Sequence, residues 1–241
     1  MRLRLFDSTD DLSQYAADFI TAQILTNPGL LLCAASGNST TATYTKLGAS
    51  KEKLPSDRLR IIKLDEWGGV SLDNPATCET YLLRYLIRPL HIQEQNYFSF
   101  NSNPESPEHE CSRMQRILDE QGPIDLCILG LGLNGHIAFN EPDRFLLPGC
   151  HIASLSADSF RHPMAQDLDY QTTYGLTLGM ADILKSRRII LLISGQKKAG
   201  ITKALMSRRI TPELPASFLW LHPEVYCFCD QEAYSSISKV G

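Results

Sequence analysis

Residues 125–142 read Asp-Leu-Cys-Ile-Leu-Gly-Leu-Gly-Leu-Asn-Gly-His-Ile-Ala-Phe-Asn-Glu-Pro. The opening residues, Asp125–Leu129, form a short and nearly unbroken apolar run, the pattern of a strand covered on both faces. The run ends abruptly in glycines and polar residues. Outward from it the same figure recurs at Leu30–Ala35, Leu59–Leu64, Arg188–Ile193 and Ala216–Leu221. These runs are followed in turn by Ser36-Gly37-Asn38-Ser39-Thr40, Asp65-Glu66-Trp67-Gly68-Gly69, Gly195-Gln196-Lys197-Lys198 and His222-Pro223. Val225–Cys229 is a further run, and Met1–Phe6 reads as a short opening strand. Between the runs lie segments with helical spacing. In 10–26, Leu12, Tyr15, Ala16, Phe19, Ile20 and Ile24 mark one stripe, ended by Asn27-Pro28-Gly29. Others span about 40–48, 76–88, 107–121 and 198–208. Strand alternating with helix requires crossover connections. It predicts an α/β fold: a single-domain, three-layer αβα arrangement over 1–241 with a mainly parallel, doubly wound sheet. No repeat, low-complexity tract or Pro/Gly/Ser-rich linker divides the chain.

Composition narrows the function classes. The 241 residues are 43% hydrophobic and 21% charged, with 27 acidic against 23 basic side chains and a formal charge of −4. That balance is ordinary for a globular protein. It argues against a disordered chain, a collagen-like repeat or a strongly basic nucleic-acid binder. No apolar run approaches the roughly 20 residues of a membrane span, and the N-terminus lacks the apolar stretch of a secretion signal. Neither a membrane nor a nucleic-acid partner is expected, and the location expected is cytoplasmic. The seven cysteines are an odd number without a C-x-x-C pair, and Cys33, Cys127, Cys227 and Cys229 lie inside apolar runs. Such thiols behave as small buried hydrophobes in a reducing compartment.

In open parallel sheets, ligands bind beyond the carboxyl ends of the strands. Five polar or glycine-rich punctuations at those ends predict one shared site. Gly130–Gly135 also matches G-x-G-x-x-G. A dinucleotide site would need a helix opening there and an acidic residue about 20 positions on. Pro142 and Pro148 interrupt instead, and Asp143 and Asp158 are poor candidates. His136 and Glu141 put an imidazole and a carboxylate on one loop, an acid/base relay in outline; Asn140-Glu141-Pro142 also reads as a plain turn. Asp65 emerges from Ile61-Ile62-Lys63-Leu64 as a carboxylate at a strand exit, a base candidate with perturbed acidity, or equally a capping residue. Ser36–Thr40 opens a helix, whose free N–H groups suit a phosphate. Lys197 and Lys198 follow Gly195 in a similar place. These elements together suggest a phosphorylated small substrate, with no metal signature.

Three segments carry a resemblance: Leu64-Asp65-Glu66-Trp67, Gly132–Pro142 and Ala216–His222. They resemble the glucosamine/galactosamine-6-phosphate deaminase (isomerase) family, over about residues 30–230. The related 6-phosphogluconolactonases share the Gly-His pair but do not carry Phe-Asn-Glu-Pro after it. Leu64–Trp67, Asn134 and Ala216–His222 look closest to the galactosamine branch. The resemblance implies a cofactor-free isomerisation with loss of ammonia, from galactosamine 6-phosphate to tagatose 6-phosphate or, alternatively, from glucosamine 6-phosphate to fructose 6-phosphate. It implies that His136 opens the sugar ring, oriented by Glu141, and that Asp65 moves the C2 proton toward C1. Asn134 joins this catalytic set. Ser36, Gly37, Asn38, Ser39, Glu66 and Lys198 form the expected substrate-binding set, with Lys197 the register alternative to Lys198. Many glucosamine-type members have Asp where Asn134 stands, so Glu141 is expected to supply most of the electrostatic support to the histidine. Their phosphate-clamping arginine on a mobile lid has Arg161 as its nearest counterpart, within a lid expected at about 156–170. The family contains hexamers and monomers, so a homo-oligomer is one of two open assemblies. A lactone hydrolase and a non-catalytic sugar-phosphate sensor are the competing readings.

Overall fold

The computed structural model describes residues 1–155 and 174–237. Its strands are β1 (Arg2–Phe6), β2 (Leu31–Ala34), β3 (Arg60–Lys63), β4 (Asp65–Trp67), β5 (Tyr97–Phe98), β6 (Leu126–Gly130), β7 (His151–Ser154), β8 (Tyr174–Thr177), β9 (Ile189–Ile193) and β10 (Val225–Asp230). Its α-helices are α1 (Thr9–Thr26), α2 (Asn38–Ala49), α3 (Cys78–Leu82), α4 (Pro107–Gln121), α5 (Met180–Leu184), α6 (Ala199–Met206) and α7 (Gln231–Tyr234).

The boundaries have local causes. Ser8 caps α1 by accepting the Asp11 amide at 3.1 Å, and Asp10 and Asp11 sit in the first turn, where the helix dipole favours acid. Ser106 caps α4 in the same way through the His109 amide, with Pro107 at the first position.

Seven strands form one parallel sheet in the order β1-β10-β9-β6-β2-β3-β5. Period-two alternation explains why the strands read as continuous apolar runs. Leu31, Cys33, Cys127, Leu129, Ile189, Leu191 and Cys227 point to one face, where Met114 and Leu118 of α4 and Leu205 of α6 cover them. Leu32, Ala34, Leu126, Ile128, Ile190, Leu192 and Phe228 point to the other, beneath Leu12, Ala16 and Ile20 of α1 and Tyr44 and Leu47 of α2. The three-layer architecture follows from these two cores. From β2 the chain steps outward to β3 and β5, then returns to place β6 on the other side of β2. The winding therefore reverses between β2 and β6, and the carboxyl ends there open a crevice.

Two features depart from the sequence reading. The expected strand Ala216–Leu221 lies within a 3₁₀ helix, Pro215–Leu221. Proline at its first position presets helical φ, and Ser217 N donates to Leu214 O at 2.8 Å. His222 consequently precedes β10 and sits at the amino end of the sheet, away from the carboxyl-end crevice. Second, β4, β8 and β7 form a separate three-stranded antiparallel sheet. It packs through Trp67 and Ala153 against Phe139 of the loop after β6 in a small third cluster. Among the described residues no helix is long and apolar enough to cross a membrane, and all seven cysteines are free.

Candidate active site

The loop after β6 is folded by its glycines. Gly135 N donates to Gly132 O at 3.1 Å, and Gly132 N to His136 O at 3.0 Å. Gly135 has φ +90°, and a side chain there would stand 2.2 Å from Leu214 Cδ1. A Cβ on Gly132 would lie 2.3 Å from the His136 ring. Glycine is thus required at both positions for the imidazole to fold back over the strand end.

The polar groups of this loop then order one another. Asn134 Oδ1 accepts the His136 amide at 3.1 Å, while Asn134 Nδ2 donates to Glu141 Oε2 at 2.7 Å. The same Glu141 oxygen lies 3.4 Å from His136 Nδ1. His136 and Glu141 remain partly open, with side chains 22% and 12% exposed. With Nδ1 directed at the carboxylate, Nε2 is the nitrogen left to exchange a proton with a ligand. Asn140 pins the loop from below, donating to Ile137 O and Leu178 O at 3.0 and 2.9 Å.

Asp65 begins β4, one residue beyond the Leu64 that leaves β3. Strand β8 brackets it to the histidine loop. Thr177 is the register partner of Asp65, and Thr177 Oγ1 accepts the Phe139 amide at 3.3 Å. Among the described residues the Asp65 carboxylate accepts no hydrogen bond. Burial, reinforced by Glu66 and partly countered by Lys63, pushes it up to about 7. A carboxylate held near neutrality at a strand exit is suited to proton transfer.

Two elements offer anion-binding groups. Gly37, at φ +122°, caps α2 without a side-chain hydrogen bond, and Asn38 and Ser39 leave the first turn open. That turn is braced behind by Tyr81, whose hydroxyl donates to Gly37 O at 2.9 Å. Ser36 Oγ donates to Cys78 Sγ at 3.0 Å. Across the crevice, Lys198 ends the short 3₁₀ turn Gln196–Lys198, and its Nζ donates to Leu131 O at the root of the histidine loop. Burial lowers this ammonium to about 8. Lys197 is exposed. The geometry therefore favours Lys198 in the register left open by the sequence.

Not every expected site residue joins this group. Glu66 is fully buried and committed elsewhere: it accepts Lys63 Nζ at 2.7 Å and the amides of Trp67, Cys78 and Glu79 at 2.8 to 2.9 Å. Its lone pairs are taken, which corrects the expectation that it binds substrate directly. Arg161 and the lid expected at 156–170 lie outside the described residues. Three supporting residues were missed from sequence: Asn140, Thr177 and Asp230. Asp230 ends β10, caps α7 and accepts Gly195 N at 2.9 Å, fixing the turn that presents Lys198. The signal was a carboxylate closing the run Val225–Cys229.

Residues 7–227 match the family described as glucosamine-6-phosphate isomerases/6-phosphogluconolactonase. An Escherichia coli (strain K12) protein named only provisionally as a deaminase, AgaI, is 38% identical over 90% of this chain and 86% of its own. A glucosamine-6-phosphate deaminase of Geobacillus sp. (strain WCH70) is 34% identical over 95% of this chain and 92% of its own. Among solved structures, a monomeric glucosamine-6-phosphate deaminase of the NagB superfamily superposes with TM-score 0.92 at 31% identity, covering 98% of this chain and all of that one. The 6-phosphogluconolactonase of Thermotoga maritima shares the fold, with TM-score 0.76 at 19% identity over 95% of this chain and 99% of its own.

Proposed function

Because the chain belongs to the glucosamine-6-phosphate isomerase/6-phosphogluconolactonase family, we propose that it is a cytoplasmic enzyme converting an amino-sugar 6-phosphate and water into a ketose 6-phosphate and ammonia. Galactosamine 6-phosphate, giving tagatose 6-phosphate, is the favoured substrate. The observations that support the reaction type are His136 backed by Glu141 on the loop after β6, and Asp65, raised to about 7 at the exit of β3 and linked to that loop through Thr177.

In this reading His136 Nε2 delivers a proton to the ring oxygen while the C1 hydroxyl loses one, which opens the pyranose. Glu141 orients the imidazole and supports its charge, and Asn134 holds Glu141 in place. Asp65, ionised, takes the C2 proton while the C1 oxygen regains the proton it lost at ring opening, which leaves a C1–C2 enolamine. Returning that proton to C1 gives an imine at C2, which water hydrolyses to the ketone and ammonia. Each positioned acid or base contributes typically 10²–10⁴-fold. The phosphate is bound by the Ser36–Ser39 turn at the α2 N-terminus and by Lys198. Arg161 is proposed as a further clamp from the 156–170 segment.

Glu141, supplied by Phe139-Asn140-Glu141-Pro142, favours the deaminase over the lactonase reading. The galactosamine preference rests on Leu64–Trp67, Asn134 and Ala216–His222. The glucosamine reading has its own support in the likeness to the glucosamine-6-phosphate deaminases. Ammonia release from purified protein, given the two amino-sugar phosphates in parallel, separates them. Faster release from galactosamine 6-phosphate is expected. Release only from the glucosamine epimer would overturn the substrate assignment, and none from either would overturn the deaminase reading.

A further inference from the structure

Lys63 is a fully buried lysine in an apolar strand, two residues before Asp65. All three of its protons are used: Nζ donates to Glu66 Oε2 at 2.7 Å, to Glu79 Oε2 at 2.8 Å and to Phe100 O at 2.8 Å. Glu66 in turn accepts the amides of Trp67, Cys78 and Glu79, and Tyr97 OH donates to Glu79 at 2.9 Å. The network ties β3, β4, β5 and α3 together immediately behind Asp65. Burial lowers the affinity of this ammonium for its proton, but Glu66 and Glu79 more than offset this and raise it above the ordinary lysine value.

For stability alone such an arrangement is a poor choice, since apolar residues of similar volume commonly do as well as a buried ion pair. Its position suggests another use. We propose that Lys63 is a positioning residue for Asp65: by pinning and neutralising Glu66, it holds the Asp65 strand exit in place and keeps the neighbouring carboxylate from suppressing Asp65 ionisation. The inference rests on the reading of Asp65 as the base. Among the described residues, the titratable groups coupled electrostatically to Asp65 are Glu66 and Lys63 on its own segment, Cys33 on β2 and Cys78 on α3. Glu66 opposes its ionisation and Lys63 favours it. Lys63 also lies within electrostatic reach of Glu110 on α4, which is itself paired with Arg113.

The test compares the full-length protein with Lys63→Met, Glu66→Gln and the double variant. Two readouts are taken: the acid limb of kcat/KM against pH, and the substrate-free NMR titration of the Asp65 carboxyl carbon. Lys63→Met, which leaves Glu66 unneutralised, is expected to move both upward by about one pH unit. The double variant is expected to bring both back to the wild-type position or below. Should Lys63→Met not fold, Glu66→Gln alone is expected to move both downward. A Lys63→Met protein with a lowered Tm but an unmoved Asp65 titration would overturn the proposal, as would an unmoved titration in Glu66→Gln. An Asp65 titration that shifts while the kinetic limb stays put would uphold the proposal and overturn Asp65 as the base.

Discussion

The two ends of the central sheet each hold a histidine that follows an apolar run, His136 at the carboxyl end and His222 at the amino end. His222 is buried, with Nε2 2.7 Å from Ser186 O and Nδ1 accepting the Glu224 amide at 3.1 Å. Because Nδ1 accepts, the ring proton sits on Nε2 and is donated to Ser186. Both nitrogens are consumed, Nε2 joining the end of the 3₁₀ helix to the turn before β9 and Nδ1 to the turn before β10. Among the described residues His136 spends only Nδ1, and on a carboxylate. On the proposed reading, the same side chain is a staple at one end and a proton carrier at the other. What separates them is an uncommitted nitrogen and a charged neighbour, rather than the residue type or its local sequence.

Substitution is the harshest way to break that contrast. His136→Ala is expected to lower kcat/KM by about 10³-fold or more, with a melting temperature close to wild type, as measured by ammonia release and thermal unfolding. A loss confined to stability would erase the distinction. Lys198→Met is next, with KM for the phosphorylated substrate rising about 10- to 100-fold and kcat little changed. The pH dependence of the wild type sharpens this. The Lys198 ammonium is lowered to about 8, so its charge is present below that pH and lost above it. KM should climb above pH 8 while kcat stays level, because bound phosphate retains the proton. In Lys198→Met that climb should vanish. The smallest effect on turnover belongs to His222→Gln, where kcat/KM is expected to stay within about twofold while stability falls by about 1–3 kcal/mol, the cost of leaving buried partners unpaired.

Much of this contrast was legible from sequence, but unevenly. Strands β2, β6 and β9 and the helices α1, α2, α4 and α6 beside them declare themselves because strands covered on both faces are apolar throughout and their helices carry one stripe. Gly132, Gly135, His136 and Glu141 were legible because a tight loop carrying an acid/base pair has few sequence solutions. Ala216–Leu221 misled because six residues with five apolar side chains fit a buried strand or a tight helix equally well, and Pro215 settles the matter only through its backbone geometry. Strands β4, β7 and β8 are three or four residues long and pair across a wide sequence gap, so no local period marks them. The commitment of Glu66 was hidden for a different reason. It depends on Lys63, Trp67, Cys78 and Glu79 converging on one carboxylate, which spacing along the chain does not reveal.

The central claim is that Asp65 moves the C2 proton, and hydrogen exchange at C2 tests it most directly. Asp65→Asn should bind the amino-sugar phosphate yet fail to exchange its C2 hydrogen or release ammonia. Because Asp65 is raised to about 7, its charge costs folding stability as pH climbs from about 4 to 7. The variant should accordingly be more stable than wild type above pH 7, by on the order of 2 kcal/mol after allowing for partial exposure. Wild-type protein given substrate deuterated at C2 should show a primary isotope effect and carry part of the label to C1 of the product. An Asp65→Asn protein that exchanged the C2 hydrogen at the wild-type rate would contradict the account.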